Sequence, residues 1–380
     1  MTVLELGVWI AGPACAAMLA DWGARVIKLE PPGGEPARHS ARALGLDIER
    51  NPAFELDNRG KLGLSAELRS DEGQQQLHRL LPDVDVLITN MRPAALARLR
   101  LDPATIRERY PRLVYGQVTG YGSAGPDKDR AGYDTGGFWA RSGVALRVTP
   151  QGEPPAAIPS AFGDHITAMA LASGILAALL QRERTGRGEL VETSLLRTGI
   201  YSIATDYAMY LGLGRLGRRK PRSEADAPLV NAYRCRDGLW LWLLAVESDR
   251  HWPALVTALS EGADASALGA DEFADARSRR KHRAALIAAL DNCFAALDRD
   301  DWIRLLDEQG VWWAPVQTVQ QAVEDVQVEA SGAFVDIPAG ANGPALRSIA
   351  TPVSFGGVTP MVTGPSPALG EHNDELLPPE

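Results

Sequence analysis

Cysteine is scarce. Cys15, Cys235 and Cys293 are the only three, odd in number and far apart, so neither a disulfide framework nor a CxxC metal knot can be built. A reducing, cytoplasmic setting is the expectation. The six histidines show no HxxxH or HExxH spacing, which removes the common zinc-enzyme signatures and implies no metal. No run of about 18 apolar residues is free of charge, and the first apolar stretch carries Glu5 with no basic leader before it, so neither a membrane span nor an export signal is expected. Excess positive charge is missing too. Against 39 Lys and Arg stand 48 Asp and Glu, a net charge of -9 that disfavours a general polyanion-binding surface and makes nucleic acid an unexpected partner.

What is present is an ordinary folding composition, 45% hydrophobic and 23% charged over 380 residues, enough for more than one core. The chain opens with an apolar run at Val3 to Leu6. A helical pattern from Pro13 to Trp22 follows, stopped by Gly23, and then RVIKL at Arg25 to Leu29. That is a strand, helix, strand unit of the kind that builds parallel sheets. Further strands are expected at Asp85 to Ile88, Leu113 to Val118 and Glu189 to Ser194, with helices near Asp71 to Leu81 and Pro93 to Leu99, so the fold class reads as α/β. Residues 127–159 are rich in Gly, Pro and Asp and read as a long surface excursion able to cover a ligand. His165 to Leu180 is apolar nearly all round and reads as a buried helix, followed by another at Leu195 to Leu211. Residues 212–226 form a basic linker. From residue 227 a smaller α+β unit is expected, opening on YRCRDGLWLWLL with a turn at Asp237-Gly238, and five tryptophans in it (Trp240, Trp242, Trp302, Trp312, Trp313) read as core. From Gly332 the tail is irregular and must return to pack on something.

Asp164 is the most suggestive position for chemistry. A carboxylate just ahead of an apolar helix sits at the positive end of the helix dipole, which should keep it ionised. It reads either as an N-cap closing the first turn or, beside the permissive Gly163, as a nucleophile able to form a covalent acyl intermediate. Spacing alone does not choose. Arg92 and Arg98 flank a short helix after the strand DVLI and suit a phosphate site at the carboxyl end of a parallel sheet, or else a solvated helix face. Arg38, after Pro31-Pro32-Gly33-Gly34, has the same two readings. Gly7 and Gly12 after the first strand lack GxGxxG spacing, so a nicotinamide cofactor is weakly supported. His165 cannot face its neighbour Asp164 across a helix and reads as structural.

In order along the chain, GPACAAMLADWGARVIKLEPPGG, NRGK, ITNMRPAALARL, PRLVYGQVTGYG, GPDKDRAGYD, GDHITAMALASGILAALLQRERTGRGELVETSLL and LGEH resemble the family III CoA-transferases. The resemblance spans nearly the whole chain. It implies a Rossmann-like large domain made of residues 1–211 and 332–380, a small domain at 227–331, and two chains interlocked as a homodimer. It also implies that Asp164 is the catalytic aspartate of an acyl-CoA:carboxylate CoA-transferase, which passes through aspartyl anhydrides and an aspartyl-CoA thioester. Coenzyme A would then be substrate and product, with acyl-CoA and a free carboxylic acid as partners. By motif, CoA contacts fall on Ile10 and Ala11, on Ala66, Glu67, Leu68 and Arg69, on Asn90, Met91 and Arg92, and on Arg98 at a phosphate. Ala131, Gly132, Tyr133 and Asp134 would lie along the pantetheine arm.

The sequence departs from the family at several points. Where formyl-CoA transferase has an Arg near the adenine this chain has Pro31, and Arg38 is the substitute cation. Racemase relatives on the same fold have a His where this chain has Tyr133, and a phenol is a poorer base than imidazole near neutral pH. Glu247 resembles a racemase acid, so 2-methylacyl-CoA racemisation is the alternative activity, and a non-catalytic CoA-binding protein is a third. The glycine-rich loop of formyl-CoA transferase has no clear counterpart between Pro221 and Trp242. Acyl specificity is expected to depend on Tyr133, Trp139 and small-domain residues.

Overall fold

Alternation of apolar residues along short strands, each followed by a helix, sets the architecture of the computed structural model, which describes residues 1–43, 45–341 and 343–377. Along the chain come β1 (Thr2–Leu6), α1 (Ala11–Asp21), β2 (Arg25–Glu30), α2 (Pro52–Asn58), β3 (Leu62–Ser65), α3 (Asp71–Leu80), β4 (Val86–Thr89), α4 (Pro93–Arg98), β5 (Val114–Thr119), α5 (Phe162–Thr185), β6 (Leu190–Ser194), α6 (Leu195–Ser202) and α7 (Ala204–Leu213). The strands form one six-stranded sheet in the order β3-β2-β1-β4-β5-β6, every pair parallel. The order reverses between β1 and β4. At that point the connections leave to opposite sides and a crevice opens beyond the carboxyl ends of the strands.

Neighbouring residues in each strand serve opposite faces. Val3, Val26, Val86, Ile88 and Val114 pack under α1 and α5, whereas Leu4, Ile27, Leu64, Leu87 and Tyr115 pack toward α3 and α4. Both faces of the sheet are therefore covered, which is why its strands read as continuous apolar runs.

Two compact units result. The first holds Met1–Leu146, Ala156–Leu216 and the segment from Glu329 onward, and the second holds Arg147–Pro155 and Gly217–Val328. The second unit contains β7 (Val230–Arg234), β8 (Trp240–Leu244), α8 (Ser248–Gly262), α9 (Arg283–Phe294), α10 (Arg299–Glu308) and β9 (Trp313–Val316). Its strands form an antiparallel sheet in the order β7-β8-β9. Of those five tryptophans only Trp302 is fully buried, its indole N–H donating to the Phe294 carbonyl at 2.8 Å. Trp242 and Trp312 are exposed, which corrects the reading of all five as core.

The tail is less irregular than its composition suggests. It forms the hairpin β10 (Phe334–Ile337) and β11 (Leu346–Ile349) in the first unit and then docks on the edge strand β3. There the Gly63 N–H donates to His372 Nδ1 at 3.0 Å and the His372 N–H donates to the Gly63 carbonyl at 2.9 Å. The Ser65 N–H donates to Asn373 Oδ1 at 2.9 Å. A terminal segment thus satisfies an edge that would otherwise be open.

Three further expectations change. The excursion at 127–159 carries two helical turns, Thr135–Arg141 and Val144–Val148. Leu195 to Leu211 is two helices broken at Ile203. Helix α5 begins at Phe162, before Asp164, and is not buried all round: Met169, Leu176 and Leu180 are exposed. Its buried stripe of Ala168, Leu171, Ala172, Ile175 and Ala178 packs in the core with α1. By length and hydropathy alone α5 could cross a bilayer, a property that core helices share.

Candidate active site

The residues singled out by motif follow the carboxyl ends of five adjacent strands. Ile10 and Ala11 come after β1, Arg38 after β2, Ala66 to Arg69 after β3, Asn90 to Arg92 and Arg98 after β4, and Ala131 to Asp134 after β5. The topology gathers segments from Ile10 to Asp134 along one edge of the sheet.

The turn after β1 is held from two sides. Asn90 accepts from the Val8 N–H at 2.9 Å and donates to the Val8 carbonyl at 2.6 Å, so its side chain is committed to the loop. Trp9 adopts a left-handed backbone with φ 63°, and its N–H donates to Glu35 at 2.7 Å. Glu35 belongs to a charge cluster that is fully buried. Lys28 bridges Glu35 at 2.5 Å and Glu5 at 3.0 Å, and Glu5 also binds Lys61 at 2.6 Å. Burial by itself would raise the Glu5 carboxyl, but Lys28 and Lys61 outweigh it and hold it below its ordinary value. The NRGK motif is explained by this scaffold. Asn58 and the carbonyls of Pro13 and Asp57 complete the Lys61 ammonium, and Arg59 forms a buried pair with Asp21 at 2.7 Å.

Arg38 does not offer a free cation toward an adenine. Its guanidinium forms a fork on Glu30 at 2.7 and 2.6 Å and donates to the Pro367 carbonyl at 3.0 Å. The same Glu30 accepts from the Glu35 N–H at 3.0 Å. Arg38 therefore fixes the turn that carries Glu35.

Asp164 stands in the first turn of α5, three residues past the cap position held by Ala161. It is not the N-cap. That work falls to Asp134, whose carboxylate accepts from the Gly163 N–H at 3.2 Å and the Thr135 N–H at 2.7 Å. Gly163 makes the approach possible, because a Cβ there would lie 2.6 Å from the Phe138 side chain and 2.8 Å from the Asp134 Cβ. Among the described residues nothing donates a hydrogen bond to the Asp164 carboxyl, which is half-buried. Burial first, and then the nearby Asp134 charge, push its pKa up to about 7. The expectation that the helix dipole keeps it fully ionised is thereby corrected: desolvation and a like charge win. His165 turns the other way and pairs with Asp57 at 3.1 Å, a hydrogen bond that raises its pKa.

Asp164 lies on the wall of a cavity of about 460 Å³, lined also by Trp9, Ile10, Tyr121, Ala131, Gly132, Tyr133, Asp134, Thr135, Gly136, Ser160 and Ala161. The lining is mainly apolar and carries three aromatic rings. A carboxylate without hydrogen-bond donors in such a cavity is poorly solvated and faces an apolar space. Trp139, by contrast, is buried against Phe162, its indole N–H bonded to the Ala156 carbonyl at 2.8 Å, and does not line this cavity.

A second cavity, of about 500 Å³, is lined by Leu68, Arg69, Asp71, Gln74, Met91, Ala95, Arg98, Leu99 and Arg100. Three guanidinium-bearing residues against one carboxylate make it cationic. Arg100 was not anticipated. It stands just past α4 with φ 56°, and nothing in the local pattern marks it. Arg92 is exposed at the start of α4 and lines neither cavity. Ala66 donates its backbone N–H to the Glu30 carbonyl at 3.0 Å, and Glu67 accepts from the Arg69 N–H at 3.0 Å. In the second unit Glu247 is exposed and pairs with Arg250 at 2.6 Å. Among the described residues there is no group of three or more His, Cys, Asp or Glu placed to hold a metal.

A family model described as CoA-transferase family III matches residues 1–373. The chain is 34% identical over 380 residues to the (R)-2-hydroxy-4-methylpentanoate CoA-transferase of Clostridioides difficile, covering 99% of this chain and 93% of that protein. It is 33% identical over 334 residues to the cinnamoyl-CoA:phenyllactate CoA-transferase of Clostridium sporogenes, covering 87% of this chain and 80% of that protein. A solved structure of a CAIB/BAIF family protein from Brucella suis superposes with a TM-score of 0.84 at 29% identity, over 99% of this chain and 98% of that one. With a family match along almost its whole length and named transferases among its relatives, this chain belongs to CoA-transferase family III and is an enzyme of that family.

Proposed function

We propose that this enzyme moves CoA from an acyl-CoA thioester to a free carboxylic acid, with Asp164 as the covalent nucleophile. The observation that carries the reading is the Asp164 carboxyl itself, half-buried, without a hydrogen-bond donor among the described residues, and facing an apolar cavity. Its carboxylate attacks the thioester carbonyl and CoA thiolate leaves, giving a mixed anhydride. The thiolate then attacks the Asp164 carbonyl, releasing the donor's carboxylate and leaving an aspartyl-CoA thioester. The acceptor carboxylate attacks that thioester, and the freed thiolate cleaves the second anhydride at the acceptor carbonyl. The new acyl-CoA departs and Asp164 is regenerated. Each anhydride needs protection from water, and the apolar lining supports that requirement.

The cationic cavity of Arg69, Arg98 and Arg100 suits the phosphate end of CoA, because guanidinium forks match phosphate oxygens. The strand order, 3-2-1-4-5-6, is that of a doubly wound nucleotide-binding sheet and supports a Rossmann-like reading of the first unit. A homodimer is part of the proposal. Helix α7 has no buried residue, and with Tyr201 it leaves apolar side chains uncovered along one groove, as an association face does. The two relatives' names point to 2-hydroxy acids as the first acceptors to try.

Incubation with an acyl-CoA and hydroxylamine, followed by intact-mass measurement, tests the reading. An adduct on Asp164 that is absent in Asp164→Ala is expected. Failure to trap any adduct across a broad acyl-CoA panel, with CoA binding intact, would defeat the covalent mechanism.

A further inference from the structure

We propose that Trp9 is the residue that selects the acyl group, favouring flat or branched apolar acyl chains, and that Glu35 is the positioning residue that holds it there. The inference rests on the transfer reaction above and adds its substrate class. A left-handed backbone suits glycine, and a bulky side chain persists there only where its surroundings over-determine it. Position 9 carries the largest side chain of all in that conformation, φ 63°. What over-determines it is unusually rigid: the Trp9 N–H donates to Glu35 at 2.7 Å, and Glu35 is fixed by Lys28 at 2.5 Å with both side chains fully buried. On the other side Asn90 grips both polar groups of the Val8 backbone.

The indole so placed meets the Tyr133 ring edge to face, at 6.2 Å between centroids and 85° between planes. Both rings line the cavity that holds Asp164, and neither is covered, Trp9 being 38% and Tyr133 63% exposed. Around them the wall carries small residues, Ala131, Gly132, Gly136 and Ala161, beside Ile10 and a third ring, Tyr121. Two uncovered aromatic rings over a small-residue wall leave a slot that an apolar acyl chain would fill and an acetyl group would not. A backbone pinned by buried charges keeps the rings from closing on each other when the slot is empty.

The test compares 3-phenylpropionyl-CoA with acetyl-CoA, binding measured calorimetrically on Asp164→Ala full-length protein so that no covalent step intervenes. The aryl thioester should bind at least about tenfold tighter, as burial of one ring predicts. Trp9→Gly, which suits the backbone, should bring that ratio to within about threefold of unity, and Trp9→Phe should recover part of it. Glu35→Gln should lower the ratio as well, an effect that simple loss of folded protein does not produce. A starting ratio near one, or a ratio untouched by Trp9→Gly, overturns the proposal. Adduct formation by the protein with Asp164 intact is scored separately. A ratio that depends on Trp9 without any adduct strikes the covalent reading alone, an adduct with an unchanged ratio strikes only this assignment, and no binding of either thioester defeats both.

Discussion

At the scale of single residues, Asp164 links reactivity to stability. In the proposed mechanism the attacking form is the carboxylate, and burial with the Asp134 charge pushes its pKa up to about 7. The rate of CoA transfer should therefore rise with pH along a limb centred near that value, since only the deprotonated fraction attacks. Asp134→Asn keeps an acceptor for the Gly163 N–H while removing the like charge, so the limb should move to lower pH. A pH profile of kcat/KM in both proteins checks this, and a limb that does not move sinks the assignment of Asp134 as the perturbing charge. Stability should run the opposite way. A carboxyl whose folded pKa lies above its unfolded value destabilises the fold progressively as pH rises from about 4 to about 7, and fully above that. Asp164→Asn should then stabilise the fold at mildly alkaline pH by on the order of 1–2 kcal/mol after discounting for partial exposure, read as a higher melting temperature, with little gain in acid. The sequence made Asp164 visible through its place before an apolar helix. It hid Asp134 as the true cap, because a cap contributed 29 residues away leaves no local spacing to read. Trp9 was hidden for a similar reason: a left-handed tryptophan has no pattern of its own and is held by a partner 26 residues on.

At the scale of elements, segments with an unbroken apolar run or helical period were legible and those without one were not. Helices α1 and α3, and strands β1, β2, β4 and β5, announce themselves by apolar spacing and by Gly or Pro at their ends. Strand β3, with the sequence LGLS, offers only four residues and an interior Gly. It is a strand because β2 pairs with it in register from Ile27 to Glu30 and the tail caps its other edge. The NRGK motif gave a family resemblance but not its cause, which is burial. Lys61 is fully buried, bonded to Glu5, Asn58 and two carbonyls. Lys61→Met removes the charge but keeps much of the volume, leaving Glu5 short of one of two cations. Such a loss should destabilise the first unit by about 3–5 kcal/mol. Adding Glu5→Gln should recover a substantial part, since the penalty comes from the stranded carboxylate. Thermal melts of the two single variants and the double variant measure it, and strictly additive losses would show that the two groups do not act as a pair.

At the scale of the whole molecule, the surface says what one chain leaves unfinished. An amphipathic helix normally turns its apolar stripe inward, yet α7 buries none of its residues, and Leu211 is 79% exposed. Beside it Tyr201 is 81% exposed, and a groove of about 620 Å³ runs between α5, β6, α6 and α7. The sequence foretold burial for α5 because its composition is apolar on every side, and composition cannot say whether the second side is covered by the same chain or another. A second copy is the economical cover, since closed homodimers are the commonest soluble assemblies. Light scattering at micromolar concentration should accordingly give twice the chain mass. Leu211→Glu combined with Tyr201→Glu places two charges in the middle of that face, where desolvating them opposes association by several kcal/mol, and the mass should fall toward that of a single chain. If the native protein is already monomeric, or if the doubly charged variant keeps the doubled mass, this face is not where two copies meet and the exposure of α7 needs another partner.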